Sequence, residues 1–238
     1  MYMDERKKQL RQRRMMQYFM DAAQKIIETE GIDAVTIRKV SDRAGYNSAT
    51  MYNYFTDVEQ LLSFTLLQIV MEYFDALGRL NAENHPSYLR FLLTWKIYAV
   101  FSFEKPEIYT HVFFSEKTNV ILGSIDAYLA LFPSPTMTSG DARYRSIMGK
   151  SIQERDNNIF DPCIRDGYVE KKDQDYLFTF YYALYLGLCK QMELGIYTDR
   201  ERNIALFLEY CIDFLLSHAT IPDSKEHLKQ VVMNYRVR

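Results

Sequence analysis

Apolar residues recur at helical spacing along almost the whole chain, so the pattern predicts helices joined by short polar breaks. Met15, Phe19, Ala22 and Ile26 fall on one stripe of a first helix, which Gly31 is expected to end in the left-handed conformation. Thr36 is a good N-cap for a second helix with Ile37, Val40 and Ala44 inside. Asn47 caps a third, short helix running to about Phe55, with Met51 and Phe55 turned inward. Asp57 caps a fourth, and Glu59 suits the positive end of its dipole. Leu61, Leu62, Leu66, Ile69 and Phe74 carry that helix to about Leu80.

Asn81–Ser87 reads as a linker, and helices are predicted beyond it at about 87–104, 106–114 and 117–131. Pro133–Gly140 has loop composition. Long helices at about 141–161 and 172–195 follow, separated by Pro162 and a polar stretch. A last helix runs from its cap at Asp199 to about His218. The residues after Pro222 are polar, with the character of a short helix or a disordered tail. Alternation at 178–186 is too closely flanked by further apolar residues to be a strand. The expectation is an all-α protein: an N-terminal three-helix unit (1–60), a larger helical domain (61–222) and a polar tail (223–238).

Composition narrows the function. The 238 residues carry 29 Lys and Arg against 31 Asp and Glu, a net charge of −2, so any basic surface must be local. One such surface is residues 6–14, RKKQLRQRR, with six basic side chains and no acid. Apolar runs are broken by charges before they reach membrane-spanning length, and no signal peptide is visible at the N-terminus. Cys163, Cys189 and Cys211 are odd in number and far apart, as reduced, buried thiols would be. These features predict a soluble cytoplasmic protein without membrane contact. The four His residues are scattered, and neither a phosphate loop nor a nucleophile elbow occurs. Glu154, Asp156 and Asp161 share one region without a second acidic cluster to complete a metal site. No catalytic residue, metal or cofactor is expected.

The second and third helices, joined at Ala44-Gly45, have the form of a helix-turn-helix, in which one helix braces and the next offers its polar face to DNA. Tyr46, Asn47, Ser48, Thr50 and Asn53 make up that face. Asn side chains pair with adenine, and Thr methyls pack on thymine methyls. Ala49 permits close approach, Tyr52 and Tyr54 reach phosphates, and Arg38 sits near the groove edge.

On these residues, 15–62 resemble the DNA-binding domain of the TetR (tetracycline-repressor) family of bacterial transcription regulators. The matching pieces are Ile26-Ile27, Gly31, Val35-Thr36-Ile37-Arg38, Ala44-Gly45-Tyr46-Asn47, Ala49-Thr50-Met51-Tyr52, Tyr54-Phe55, Glu59 and Leu61-Leu62. The resemblance implies DNA contacts from Thr36, Arg38, Tyr46, Asn47, Ser48, Thr50, Tyr52, Asn53 and Tyr54. Members often carry Lys where this chain has Thr56 and Val58, so a phosphate contact is missing and the basic arm at 6–14 is expected to compensate. The resemblance further implies a homodimer on a palindromic double-stranded operator, with helices 141–161 and 172–195 pairing across the twofold axis. It implies repression relieved by a small, mostly apolar or aromatic effector. Trp95, Tyr98, Phe101, Phe113, Phe114, Tyr128, Phe160, Phe180 and Tyr185 are candidates to line its cavity. The same fold acting as a DNA-binding or protein-recruiting factor without a ligand is the alternative, which a core with no cavity would favour.

Overall fold

The computed structural model describes residues 2–134, 136, 149 and 151–238, with side chains from residue 6 onward. Helix α1 (Tyr2–Glu30) starts well before its apolar stripe, so the basic run 6–14 is the mostly exposed beginning of α1. Gly31 ends α1 with φ 88° and ψ 167°. That is the extended mirror region open to glycine, not the left-handed helical conformation expected, and it directs the chain into a single tight turn at Ile32–Ala34.

Helix α2 (Ile37–Ala44) is capped by Thr36, whose Oγ1 accepts from the Lys39 N–H at 3.3 Å. Gly45 follows with φ 76° and ψ 27°. The Gly45 and Tyr46 N–H groups donate back to the Asp42 and Ser41 carbonyls, closing the turn. Helix α3 (Ser48–Met51) is shorter than predicted. From Tyr52 to Phe55 the chain continues in tight turns, with Phe55 N–H donating to the Met51 carbonyl at 3.0 Å. Helix α4 (Val58–Ala82) has two supports at its start. Asp57 Oδ1 accepts from Gln60 N–H at 2.7 Å, and Gln60 Oε1 reaches back to Thr56 N–H at 2.8 Å.

Beyond the 83–86 break come α5 (Ser87–Ser102) and α6 (Pro106–Phe114). The helix expected over 117–131 is two helices, α7 (Thr118–Gly123) and α8 (Ile125–Leu131). Ser124 divides them, because its hydroxyl donates to the Val120 carbonyl at 2.8 Å and tightens the backbone there. Of the loop expected at 133–140, the described residues are Pro133, Ser134 and Thr136. Ser134 is buried, and both hydroxyls donate to Asp75 on α4, so this segment is tied down.

Residues 141–148 and 150, the start of the helix expected at 141–161, lie outside the described residues. The described part is α9 (Ile152–Arg165), capped by Ser151 and continuing through Pro162. Pro162 brings no backbone N–H, so α9 forgoes one rung of its ladder in the last turn, and its fixed φ is compatible with continuing the helix. Helices α10 (Gln174–Glu193) and α11 (Arg200–His218) follow as predicted, with Asp199 capping the second. The polar residues after Pro222 are a packed element. Helix α12 (Lys225–Asn234) buries Leu228 and Val232 against α5 and α11, and Tyr235 and Arg238 bond Glu83 and Glu104.

The fold is all-α, and among the described residues the one β pairing is a bridge between Val169 and Ala219. Helix α4 connects its two parts, packing on α1 near its start and on α5, α7 and α8 further along. By composition α4 is apolar enough to cross a bilayer, with mean hydropathy 1.3, yet 61% of that window is buried inside the protein, as in a core helix. A chain of edge-to-face rings joins the two parts: Phe19 to Phe55, Phe55 to Phe64 and Phe64 to Tyr128, at 6.4, 6.2 and 5.7 Å between centroids. Cys163, Cys189 and Cys211 are free and buried. Burial pushes the first two thiols up to about 12 and about 11.

Candidate nucleic-acid interface and core cavity

The reading surface is mounted on Phe19. This fully buried ring has Tyr46, Tyr54 and Phe55 within 5.6 to 6.4 Å of its centroid, so the segments on either side of α3 rest on one α1 side chain. Met51 fills the remaining space beneath α3. The outward side carries Tyr46, Asn47, Ala49, Tyr52 and Asn53, all exposed, with Ser48 and Thr50 half-buried. Arg38 projects beside them with its side chain 90% exposed, 3.9 Å from Asp42.

Three of the expected contact residues have their side chains engaged within the protein. Asn47 is the N-cap of α3, its Oδ1 accepting from both the Thr50 N–H at 2.8 Å and the Thr50 hydroxyl at 2.9 Å. A bidentate contact to adenine needs that oxygen, so the intact cap leaves Asn47 only its amide N–H groups. Asn53, in the turn after α3, is exposed and is the better placed for bidentate pairing. Tyr54 is half-buried against Phe19 and packs more than it projects. Thr36 is exposed, but its hydroxyl oxygen is engaged in the α2 cap.

Sequence reasoning passed over Lys39 and Arg43 on the outer side of α2. Both are exposed and turn toward Glu30, at 2.6 and 3.9 Å, and the Lys39 hydrogen bond holds the Glu30 carboxyl below its ordinary range. Their spacing by four on an amphipathic helix was the available signal. Near Thr56 and Val58, a cation arrives from elsewhere in the chain: Lys117, just before α7, reaches Glu59 at 2.6 Å.

In the larger part, α5, α6, α9 and α10 enclose a cavity with room for a single water. Of the nine aromatic residues expected to line it, Trp95, Tyr98, Phe113 and Phe114 do. The other five are elsewhere. Phe101 lies under the Arg238 guanidinium, Tyr128 belongs to the chain of rings from Phe19, and Phe160 packs on Phe91. Phe180 stacks on Phe214 at 4.0 Å on the outer side of α10, and Tyr185 stands behind Tyr98. Ring count alone does not tell cavity wall from core.

The polar half of the wall was not anticipated. Arg155 and Asp156 of α9 line the cavity, and each is more than nine-tenths buried. The Arg155 guanidinium lies 4.6 Å from the centroid of the Phe113 ring and donates to the Tyr73 hydroxyl on α4. Asp156 accepts from Tyr182. Burial pushes its carboxyl up to about 6, although the Tyr182 hydrogen bond and the Arg155 charge both pull the other way. Trp95 Nε1 and Arg155 Nε are buried without a hydrogen-bond partner. The Tyr98 and Tyr185 hydroxyls approach each other without full hydrogen-bond geometry. No cluster of three or more His, Cys, Asp or Glu able to hold a metal occurs among the described residues.

Residues 19–63 match the family described as bacterial regulatory proteins, tetR family. No curated protein matches the chain. Among solved structures it is similar to RolR in complex with resorcinol, with a TM-score of 0.54 and 14% identity over 98% of this chain and 99% of that one. It is also similar to a TetR family transcription regulator from Marinobacter aquaeolei VT8, with a TM-score of 0.53 and 20% identity over 90% and 100% of the two chains. At these identities the two structures speak for the fold, over nearly the full length.

Proposed function

We propose, for a chain that is a TetR-family, DNA-binding transcriptional regulator, that it acts as a cytoplasmic repressor. In this reading a homodimer holds a palindromic operator and releases it when a small, mostly apolar or aromatic effector enters the core cavity. The observation that carries the reading is the exposed polar row at Tyr46, Asn47, Ala49, Tyr52 and Asn53. It is held on a capped, glycine-closed turn with Arg38 alongside. A surface left this polar over so well packed a base suits entry into a major groove.

Pairing is supported by an exposed aromatic face, on the second of the two helices the resemblance implied and not on the described part of the first. Helix α9 turns Gln153, Glu154, Asp161 and Arg165 outward, whereas α10 and α11 expose Tyr176 and Tyr210 beside the stacked Phe180 and Phe214. The favoured interface is therefore α10 with α11 and their symmetry mates, which buries that face. A twofold pair then presents two reading surfaces to two half-sites. The route from cavity to DNA is Arg155 to Tyr73 on α4, and α4 back to the reading unit. RolR shares the fold and has been seen with resorcinol, which supports an aromatic occupant for a body of this shape.

One observation favours the second reading, a DNA-binding or protein-recruiting factor without a ligand: the cavity has room for a single water. Against it stands the buried polar wall, which a permanently closed core has no need of. The test is selection of bound fragments from random duplex DNA, repeated with a small-molecule panel. Recovery of a palindrome released by one compound supports the proposal. No enrichment of any sequence defeats it, and a palindrome that nothing releases transfers support to the ligand-free reading.

A further inference from the structure

Three features of the cavity bear on what could occupy it. First, its wall is divided: Trp95, Phe113, Phe114, Phe178 and Ile159 are apolar or aromatic, while Arg155 and Asp156 stand together on α9. Second, the Trp95 indole N–H, 6% exposed as a residue, has no acceptor. A buried donor in that state is destabilising, and an occupant with an acceptor atom would relieve it. Third, the charges present are one guanidinium and one carboxylate, side by side and screened from water.

Resting on the reading of this cavity as the effector site, we propose that it selects a neutral aromatic alcohol of the phenol class. The hydroxyl donates to the Asp156 carboxylate and accepts from Trp95 Nε1, and the ring lies among Phe113, Phe114 and Phe178. Both polar roles belong to one atom of the ligand, which a hydrocarbon lacks. A carboxylate could accept from Trp95 and from Arg155 Nε, which also lacks a partner, but it could not donate to Asp156 and would set a second negative charge beside it. That carboxyl already titrates at about 6, so the site resists even one negative charge. The groups that face Asp156 are Tyr182 from α10 and Arg155 from α9 itself, with Thr94 and Trp95 of α5 across the cavity. Space is made by α9. Its Ile159, with Thr94, separates this cavity from a second one lined by Leu77, Arg90, Phe91 and Pro162, so an outward shift of Ile159 joins the two.

Trp95 is the chain's single tryptophan, so its fluorescence reports directly on the cavity. The full-length protein is titrated near pH 7.5 with phenol, toluene and benzoate, which keep the ring and vary the polar group. Phenol is expected to change the Trp95 emission saturably, with toluene at least tenfold weaker and benzoate weaker still. Toluene equal to phenol, benzoate tighter than phenol, or no saturable change with any of them overturns the proposal. Asp156→Asn, checked for folding by circular dichroism and titrated by calorimetry, should weaken phenol at least tenfold and leave toluene unchanged. Loss of both ligands equally in a folded variant also overturns it. Operator release is measured separately on the selected palindrome. Phenol binding that releases nothing defeats the ligand-response reading while this assignment stands, and sequence-specific DNA binding with no phenol binding does the reverse.

Discussion

Replacing Asp156 with Asn removes a carboxyl that burial holds at about 6, against an ordinary value of 3.8. The folded protein thus binds this proton more tightly than the unfolded chain does. The sign follows: the contribution of Asp156 to stability is fully present below the unfolded value and is lost as pH rises through about 6. Between the two plateaus the change is about 3 kcal/mol, and roughly half of it falls between pH 5 and pH 8. The Asp156→Asn protein has no proton to exchange at this site. Any fixed penalty from leaving Arg155 without its neighbouring carboxylate displaces the variant's whole curve and drops out of the slope. Urea unfolding of both proteins across that range is the assay. The wild type should lose about 1.5 kcal/mol relative to the variant from pH 5 to pH 8. A difference that stays flat, or that grows the other way, would refute the picture of a desolvated carboxylate on the cavity wall.

Three further outcomes are expected. Asn47→Ala removes the α3 cap and should lower stability by about 1 kcal/mol in urea unfolding. Its operator affinity, read by fluorescence anisotropy, should fall by more than that, and unchanged affinity would show that the cap does not set the reading surface. Arg38→Ala should leave thermal unfolding untouched, since the side chain is 90% exposed, while flattening the salt dependence of DNA binding by about 0.9 in log–log slope; an unaltered slope would remove Arg38 from the interface. Tyr210→Glu with Phe180→Glu should give single subunits in sedimentation at micromolar concentration with the helical content preserved. Continued pairing would move the interface away from α10 and α11.

Local chemistry was legible in the sequence and tertiary placement was not. Thr36, Asn47, Asp57 and Asp199 were all identified as caps, because a cap is decided within three residues by a side-chain oxygen and a nearby N–H. The division at Ser124 and the passage of α9 through Pro162 were missed, since the first depends on where a hydroxyl finds an acceptor and the second on packing that offsets a lost backbone bond. On the reading surface, the same oxygen that made Asn47 a cap was also assigned to adenine, and geometry allows it one role at a time. In the core, Asp156 drew notice only as one of three acids in a region short of a metal site, and Arg155 drew none. Only the packing of α9 over α5 turns them inward, and no periodicity shows that. Phe180 was the opposite case, an aromatic assigned to the interior that the fold leaves on an outer face beside Phe214.

Among the described residues, none of the side chains lining the smaller cavity comes from α4, and Tyr73 of α4 stands behind its wall, against Arg155, Tyr98 and Phe113. Under the proposed function, the helix that carries the DNA-facing unit would thus touch the back of the cavity wall and not the compound itself. In such a regulator, substitutions on α5, α6, α9 and α10 would retune chemical preference without disturbing the DNA-facing surface. That separation would leave such a scaffold free to acquire new inducers by drift in four walls, provided Tyr73 keeps its seat behind them.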